Sequence, residues 1–170
     1  MMQTPYQVRA RQRWATPWWL IHWIRERTLE PIALDACAER ETRKADVWYG
    51  PGSPWGEDGL VAHWPDSGTI WVNPPYDDIG PWVRRGINHA TLSDARVLLL
   101  LPARTDQEWW HQLHVHSRAR CCCLRPRLPF EAPAGVRASS PSFSVVLWEV
   151  TQRAHALPLV HVWRRRGETI

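Results

Sequence analysis

An α/β fold with a mostly parallel, doubly wound sheet and helices on both faces is predicted by three features of the chain. Short apolar runs bounded by turn residues alternate with segments of helical period, the pattern of a parallel sheet crossed over by helices. One run, Val97-Leu98-Leu99-Leu100-Leu101, is apolar without interruption, as a strand covered on both faces must be. Three polar residues, Asp35, Asn73 and Arg104, each stand just past the carboxyl end of an apolar run. That edge is where open α/β sheets hold their ligands.

The elements follow in order. Residues 1–13 form a basic arm, with Arg9, Arg11 and Arg13, of a kind expected to be poorly ordered. Thr16-Pro17 opens a helix: Thr16 suits the N-cap and Pro17 the first helical position. Trp18, Trp19, Leu20, Ile21, Trp23 and Ile24 supply its apolar face. Ile32-Ala33-Leu34 is a short strand ending at Asp35, and Ala36-Cys37-Ala38-Glu39 begins a turn or helix. Val47-Trp48-Tyr49 is a candidate strand, followed by a loop rich in Gly and Pro that leads to Asp58-Gly59-Leu60. Thr69 to Val72 is a buried strand stopped by Asn73-Pro74-Pro75-Tyr76, since neither proline offers an N–H. Pro81 to Ala90 is helical with Trp82, Val83 and Ile87 on one face, Arg96 to Leu101 is the strongest strand, and Asp106 to His114 is a helix. Residues 119–130 and 142–150 are two late strands with the loop Glu131–Pro141 between them. The chain divides into the arm, a folded domain over 14–150, and an extension over 151–170 carrying Arg164-Arg165-Arg166.

At 170 residues the chain has room for one core. It contains no apolar stretch of about eighteen residues and no signal-peptide core, so a cytoplasmic protein without a membrane span is expected. Cys37 and the run Cys121-Cys122-Cys123 show no C-x-x-C spacing, which fits a reducing compartment. The formal charge of +4 and a pI near 9.2 favour a polyanionic partner. Lys44 is the only lysine; the dominance of arginine fits phosphate recognition and equally a GC-rich codon bias. The 13 tryptophans divide between core packing and stacking on bases. His111, His114 and His116 match no standard zinc spacing, and no metal is expected.

The Asn73-Pro74-Pro75-Tyr76 turn carries the chemistry. An exocyclic amine on a planar ring needs two acceptors for its N–H groups and a flat surface to stack on. Asn73 Oδ1, the Pro74 carbonyl and the Tyr76 ring are that set, fixed by Pro74 and Pro75. A turn that merely closes a strand would use the same residues.

Taken as an ordered series, the motifs resemble those of the phage-type DNA N6-adenine methyltransferases, the small Dam-like enzymes of bacteriophages and prophages. The series runs Trp14-Ala15-Thr16-Pro17, Leu34-Asp35-Ala36-Cys37-Ala38, Asp58-Gly59-Leu60 with Trp64, and Trp71-Val72-Asn73-Pro74-Pro75-Tyr76 with Ile79 and Trp82. It ends with Leu101 to Asp106, Trp110 and Arg127-Leu128-Pro129-Phe130, and so covers about residues 14–150. The resemblance implies a Rossmann-like class I S-adenosylmethionine-dependent methyltransferase. It implies that Thr16, Pro17, Asp35, Ala36, Cys37 and Asp58 line the S-adenosylmethionine pocket. It implies that Asn73, Pro74, Pro75 and Tyr76 are catalytic and that Arg104 and Arg127 touch substrate. Asp35 is apt beside a cationic cofactor, or as the cap of the next element; Asp58 is apt beside the adenosine, or as a turn residue. The glycine-rich loop of many methyltransferases is absent after Leu34, where Ala36-Cys37-Ala38 stands. The implied substrate is double-stranded DNA with the target adenine flipped out. A methyltransferase of the same fold acting on RNA or protein glutamine, and a non-catalytic basic DNA-binding protein, are the alternatives.

Overall fold

The computed structural model of the chain describes residues 15–131 and 142–162. The basic arm, most of the Glu131–Pro141 loop and Arg164–Arg166 lie outside the described residues. In chain order the elements are α1 (Trp18–Thr28), β1 (Ile32–Asp35), β2 (Ser67–Val72), α2 (Gly80–Leu92), β3 (Asp94–Pro102), α3 (Glu108–Val115), β4 (Ala119–Arg125), β5 (Val145–Thr151) and β6 (Val160–Val162). The strands form one sheet in the order β1-β2-β3-β5-β4-β6.

The sheet is mixed: five of its six strands run one way, as a mostly parallel sheet requires, and β5 runs against them. β1, β2 and β3 pair in parallel, as do β4 and β6, but β5 runs antiparallel to both β3 and β4. The run Val145 to Trp148 is apolar throughout, and a side-chain period of two reads the same in either direction, so its sequence carries no sign of the reversal. The reversal has a consequence for function. Val145, at the start of β5, lies opposite Pro102, at the end of β3. Residues just before β5 therefore sit at the carboxyl edge of the parallel strands.

Strand pairing shows which helices cover which face, because residues directly opposite on neighbouring strands share a face. Gly86 brings α2 onto β3: a Cβ there would stand 3.2 Å from Val97 Cγ1 and 3.5 Å from Leu99. Glycine inside a helix costs about 1 kcal/mol relative to alanine. Here it permits the close approach. Trp148 lies opposite Leu99, and Trp110 of α3 meets it edge-on at 5.3 Å, so α2 and α3 share this face. On the other face Leu98 lies opposite Glu149, and Leu124 beside His161. His161 is stacked on Trp23 of α1 at 3.9 Å, so α1 covers the face opposite α2 and α3. Val97 to Leu101 are wholly buried between the layers. Each such side chain contributes roughly 1.5–3 kcal/mol relative to an exposed position.

Three local expectations are revised. Pro17, not Thr16, occupies the N-cap of α1, and no side chain of its own caps the helix; the N–H of Trp18 is held by Glu131 Oε1 at 3.3 Å. The Thr16 hydroxyl is turned to Asn73 instead. Val47-Trp48-Tyr49 makes a single bridge, Trp48 to Asp35, too short to count as a strand. β6, within 151–170, joins the sheet beside β4 where no strand was expected. Among the described residues no helix is long and apolar enough to cross a membrane.

Candidate active site

Three neighbouring strands deliver the predicted residues to one edge. β1 ends at Asp35, β2 ends at Val72 immediately before Asn73, and β3 ends at Pro102, two residues before Arg104. Pro74 and Pro75 stop β2 as their chemistry requires. Asn73 is half-buried and held at both ends of its amide. Its Nδ2 donates to Thr16 Oγ1 at 3.4 Å, and its Oδ1 accepts the Tyr76 hydroxyl at 3.2 Å. Thr16 is itself buried. The start of α1 thus aims Asn73.

Tyr76 differs from its expected posture. Its ring is not presented at the edge; it is 6% exposed and packed edge-on against Phe143 at 5.8 Å. Burial pushes its phenol well above the usual range, so the hydroxyl stays a donor to Asn73. The Tyr76 carbonyl accepts Arg104 Nη1 at 3.4 Å, and the Arg104 guanidinium lies 5.9 Å from the centroid of the Phe143 ring. Phe143 was not singled out from the sequence. It reaches the site because β5 is reversed, and an aromatic residue just before an apolar strand is the only signal that marks it.

Asp35 is 2% exposed. Its Oδ2 accepts the Lys44 backbone N–H at 2.9 Å and its Oδ1 the Cys37 N–H at 3.4 Å. Burial raises its pKa to about 7, against the lowering effect of those two N–H groups and of the Lys44 charge. The carboxylate therefore ties down the 36–44 loop, a role wider than capping a helix, since no helix follows β1. Lys44, missed in the sequence, turns its ammonium to Glu131 at 3.8 Å and over the Trp18 ring at 4.3 Å.

Ala36 and Cys37 continue from β1. Ala36 is fully buried with its N–H on the Trp71 carbonyl at 2.9 Å, and Cys37 is half-buried. Gly59 explains how Asp58 comes beside them: a Cβ at Gly59 would stand 1.9 Å from the Ala36 carbonyl oxygen, so only glycine fits. The turn is pinned by Trp64 Nε1 on the Gly59 carbonyl at 2.8 Å. Asp58 is exposed and closes its own turn, with Oδ1 on the Leu60 N–H at 2.8 Å. Arg127 is exposed two residues past the end of β4. The four cysteines are free thiols, and burial pushes Cys121 and Cys122 up to about 12.

A family model of DNA N-6-adenine-methyltransferases (Dam) matches residues 3–155. The chain belongs to the Dam family. The matched span holds α1 through β5, and with them every residue gathered at the carboxyl edge. The DNA N-6-adenine-methyltransferase of Haemophilus phage HP1 is 28% identical to the chain over 117 residues. That alignment takes in 69% of this Dam-family chain and 65% of the phage protein, so the chain spans a little under two thirds of its relative's length.

Proposed function

We propose that the protein transfers a methyl group from S-adenosylmethionine to the exocyclic N6 of adenine in double-stranded DNA, on a Rossmann-like class I methyltransferase fold. The observation that carries this reading is the clamped Asn73. A half-buried amide held by Thr16 on one side and Tyr76 on the other stands one strand away from a buried carboxylate. Family membership and the phage relative support it.

The residues at the end of β1 fit the cofactor. A carboxylate whose pKa has been pushed to about 7 by burial is short of positive charge, and the methionine ammonium and sulfonium of S-adenosylmethionine would supply it. Small side chains at Ala36 and Cys37 leave room for close approach, and Thr16, Pro17 and the exposed Asp58 complete the lining. Bound there, the cofactor provides an electrophilic methyl group that needs no activation by the protein.

The protein's part is to position and orient. The adenine amine is a weak nucleophile because its lone pair is delocalised into the ring. Asn73 Oδ1 and the Pro74 carbonyl accept its two hydrogens, which favours a pyramidal nitrogen with a directed lone pair. An amide oxygen has two lone pairs, so Oδ1 can hold the Tyr76 hydroxyl and the amine together. Holding the reacting atoms about 3–3.5 Å apart accounts for roughly 7–11 kcal/mol of the barrier. No strong general base is needed.

The amine is paired inside a duplex, so the base is extruded at a cost of a few kcal/mol. Tyr76 leaves Phe143 to stack on it, returning about 1–3 kcal/mol. Arg104, already on the Tyr76 carbonyl, and the exposed Arg127 contact phosphate. The relative's phage origin supports action in the cytoplasm of a bacterial host.

The test is direct. Purified protein is incubated with isotopically labelled S-adenosylmethionine and, separately, duplex DNA, RNA and a glutamine-containing protein extract, and the products are digested for mass spectrometry. Label on N6-methyl-2′-deoxyadenosine from DNA is expected. Label on RNA or glutamine alone would move the substrate, and DNA binding without transfer would remove the enzyme.

A further inference from the structure

Beside the site, α1 and the loop after β1 enclose a groove of about 450 Å³. Its walls include Trp18, Arg25, Arg40, Arg43 and Lys44. The acidic side chains Glu41 and Asp46 also line it; with Lys44 already engaged by Glu131, three arginines stand against two anions, a net +1. Arg25, Arg40 and Arg43 are exposed, and none of the three has an ion-pair partner among the described residues. Arg43 reaches only the Arg40 carbonyl. Trp18 is 45% exposed and followed one turn later by His22, the two rings 6.1 Å apart. An open basic channel edged by aromatic rings fits a nucleic-acid backbone.

The groove is continuous with the site. Trp18 stands two residues after Thr16, which holds Asn73, and Lys44 at the groove's inner end gives its backbone N–H to Asp35. A second cleft, along α2, does not offer the same. There Arg85 is spent on the Ala62 carbonyl and on the Trp64 ring, and the lining sets Asp66 against the remaining Arg84 in charge.

Building on the proposed DNA substrate, we infer that the groove between α1 and the 40–46 loop carries backbone phosphates of the DNA next to the target base, with Arg40 and Arg43 as two of the phosphate contacts. Phosphate contacts position a duplex without reading its sequence, so the groove would set where the flipped base enters and not which site is chosen.

The test uses the Arg40→Ala/Arg43→Ala variant of the full chain, with Arg118→Ala, just before β4 at the opposite edge of the sheet, as a control. DNA affinity is measured by fluorescence anisotropy over a range of salt, S-adenosylmethionine affinity by calorimetry, and methylation by the wild type in the same preparations. Losing two phosphate contacts lowers the slope of log affinity against log salt by about 1.8, so the wild type's advantage should shrink about 12-fold between about 50 and 200 mM salt. Cofactor affinity and the Arg118→Ala slope should not change. A variant slope equal to the wild type's would overturn the inference while wild-type methylation left the function standing. Weakened cofactor binding with an unchanged slope would assign the groove to the cofactor and overturn it too. A wild type that neither binds nor methylates DNA would remove both readings.

Discussion

Glu149 and Asp35 are carboxylates buried in the same sheet, one on the face under α1 and the other at the carboxyl edge, and they are treated differently. Glu149 is wholly buried and has a cation in contact, Arg96 Nη1 at 2.6 Å, with the N–H groups of Ala156 and Leu157 at 2.9 and 3.0 Å. Glu30 extends this cluster, accepting the Thr69 hydroxyl at 2.6 Å and Arg153 Nη1 and Nη2 within 3.3 Å. Asp35 is 2% exposed, yet it holds only two backbone N–H groups, and burial lifts its pKa to about 7. Lys44, whose charge reaches it, turns its ammonium to Glu131 and Trp18. A carboxylate paired for stability has its counter-charge inside the chain. One without a cation in direct contact, at the edge where strands end, is the kind that a charged ligand completes.

The sharpest way to break that contrast is at Glu149. Glu149→Ala leaves the buried Arg96 with only the more distant Glu30, at 3.8 Å, and should lower stability by about 3–5 kcal/mol in urea unfolding. A loss below about 1 kcal/mol would mean the cluster is not what holds the α1 face. Asn73→Ala should do the reverse, leaving the unfolding midpoint and cofactor affinity close to wild type. Its single-turnover methylation should fall on the order of 10²- to 10³-fold, as for removal of one transition-state contact. A mutant retaining a tenth of the rate would remove Asn73 from the chemistry.

Tyr76 joins the two regimes, since it packs like a core residue and bonds like a site residue. Tyr76→Ala should lose the stacking worth about 1–3 kcal/mol, and so roughly 5- to 150-fold in rate. Tyr76→Phe should lose less than about tenfold, the hydroxyl contributing one neutral hydrogen bond to Asn73. The Ala defect should shrink on DNA whose target adenine is mispaired, because that base is cheaper to extrude. Equal defects for Phe and Ala would make the hydroxyl the acting group.

The smallest effect is a pH dependence. Asp35's pKa in the fold, about 7, lies above the ordinary 3.8, so its ionisation opposes folding. Its stabilising protonated form is fully present below pH 3.8 and is lost as pH rises through about 7. The unliganded protein should therefore lose stability over that window relative to Asp35→Asn, and level off above it. Cation binding prefers the carboxylate, so S-adenosylmethionine affinity should rise with pH, by up to about tenfold per unit below pH 7, and flatten above. Calorimetry that finds the wild type as flat as Asp35→Asn would leave Asp35 a loop anchor alone.

Much of this was legible in the sequence for local reasons. Proline chemistry stopped β2 at Asn73, an unbroken apolar run marked β3, and the period of Trp82 and Val83 marked α2. Asp35, Asn73 and Arg104 were placed at one edge because strand ends are set by nearby residues. What was not legible was non-local. The direction of β5 is decided by pairing with β3 and β4, and with it the arrival of Phe143 at the site. Thr16 looked like a cap because its neighbour is proline, but its hydroxyl answers to Asn73, 57 positions away. Tyr76 looked exposed because turns usually are; its burial depends on Phe143. Lys44 carries no motif, and its place shows only once the loop it belongs to is folded onto Asp35.

The central claim is that this edge methylates adenine in DNA through Asn73. Wild type and Asn73→Ala, expressed in a bacterial host lacking adenine methylation, can be compared by long-read mapping of N6-methyladenine across the genome. Methylated adenines are expected in the wild-type host and none in the Asn73→Ala host at equal levels of folded protein. Unmethylated DNA from the wild type, or the same methylated positions from both, would contradict it.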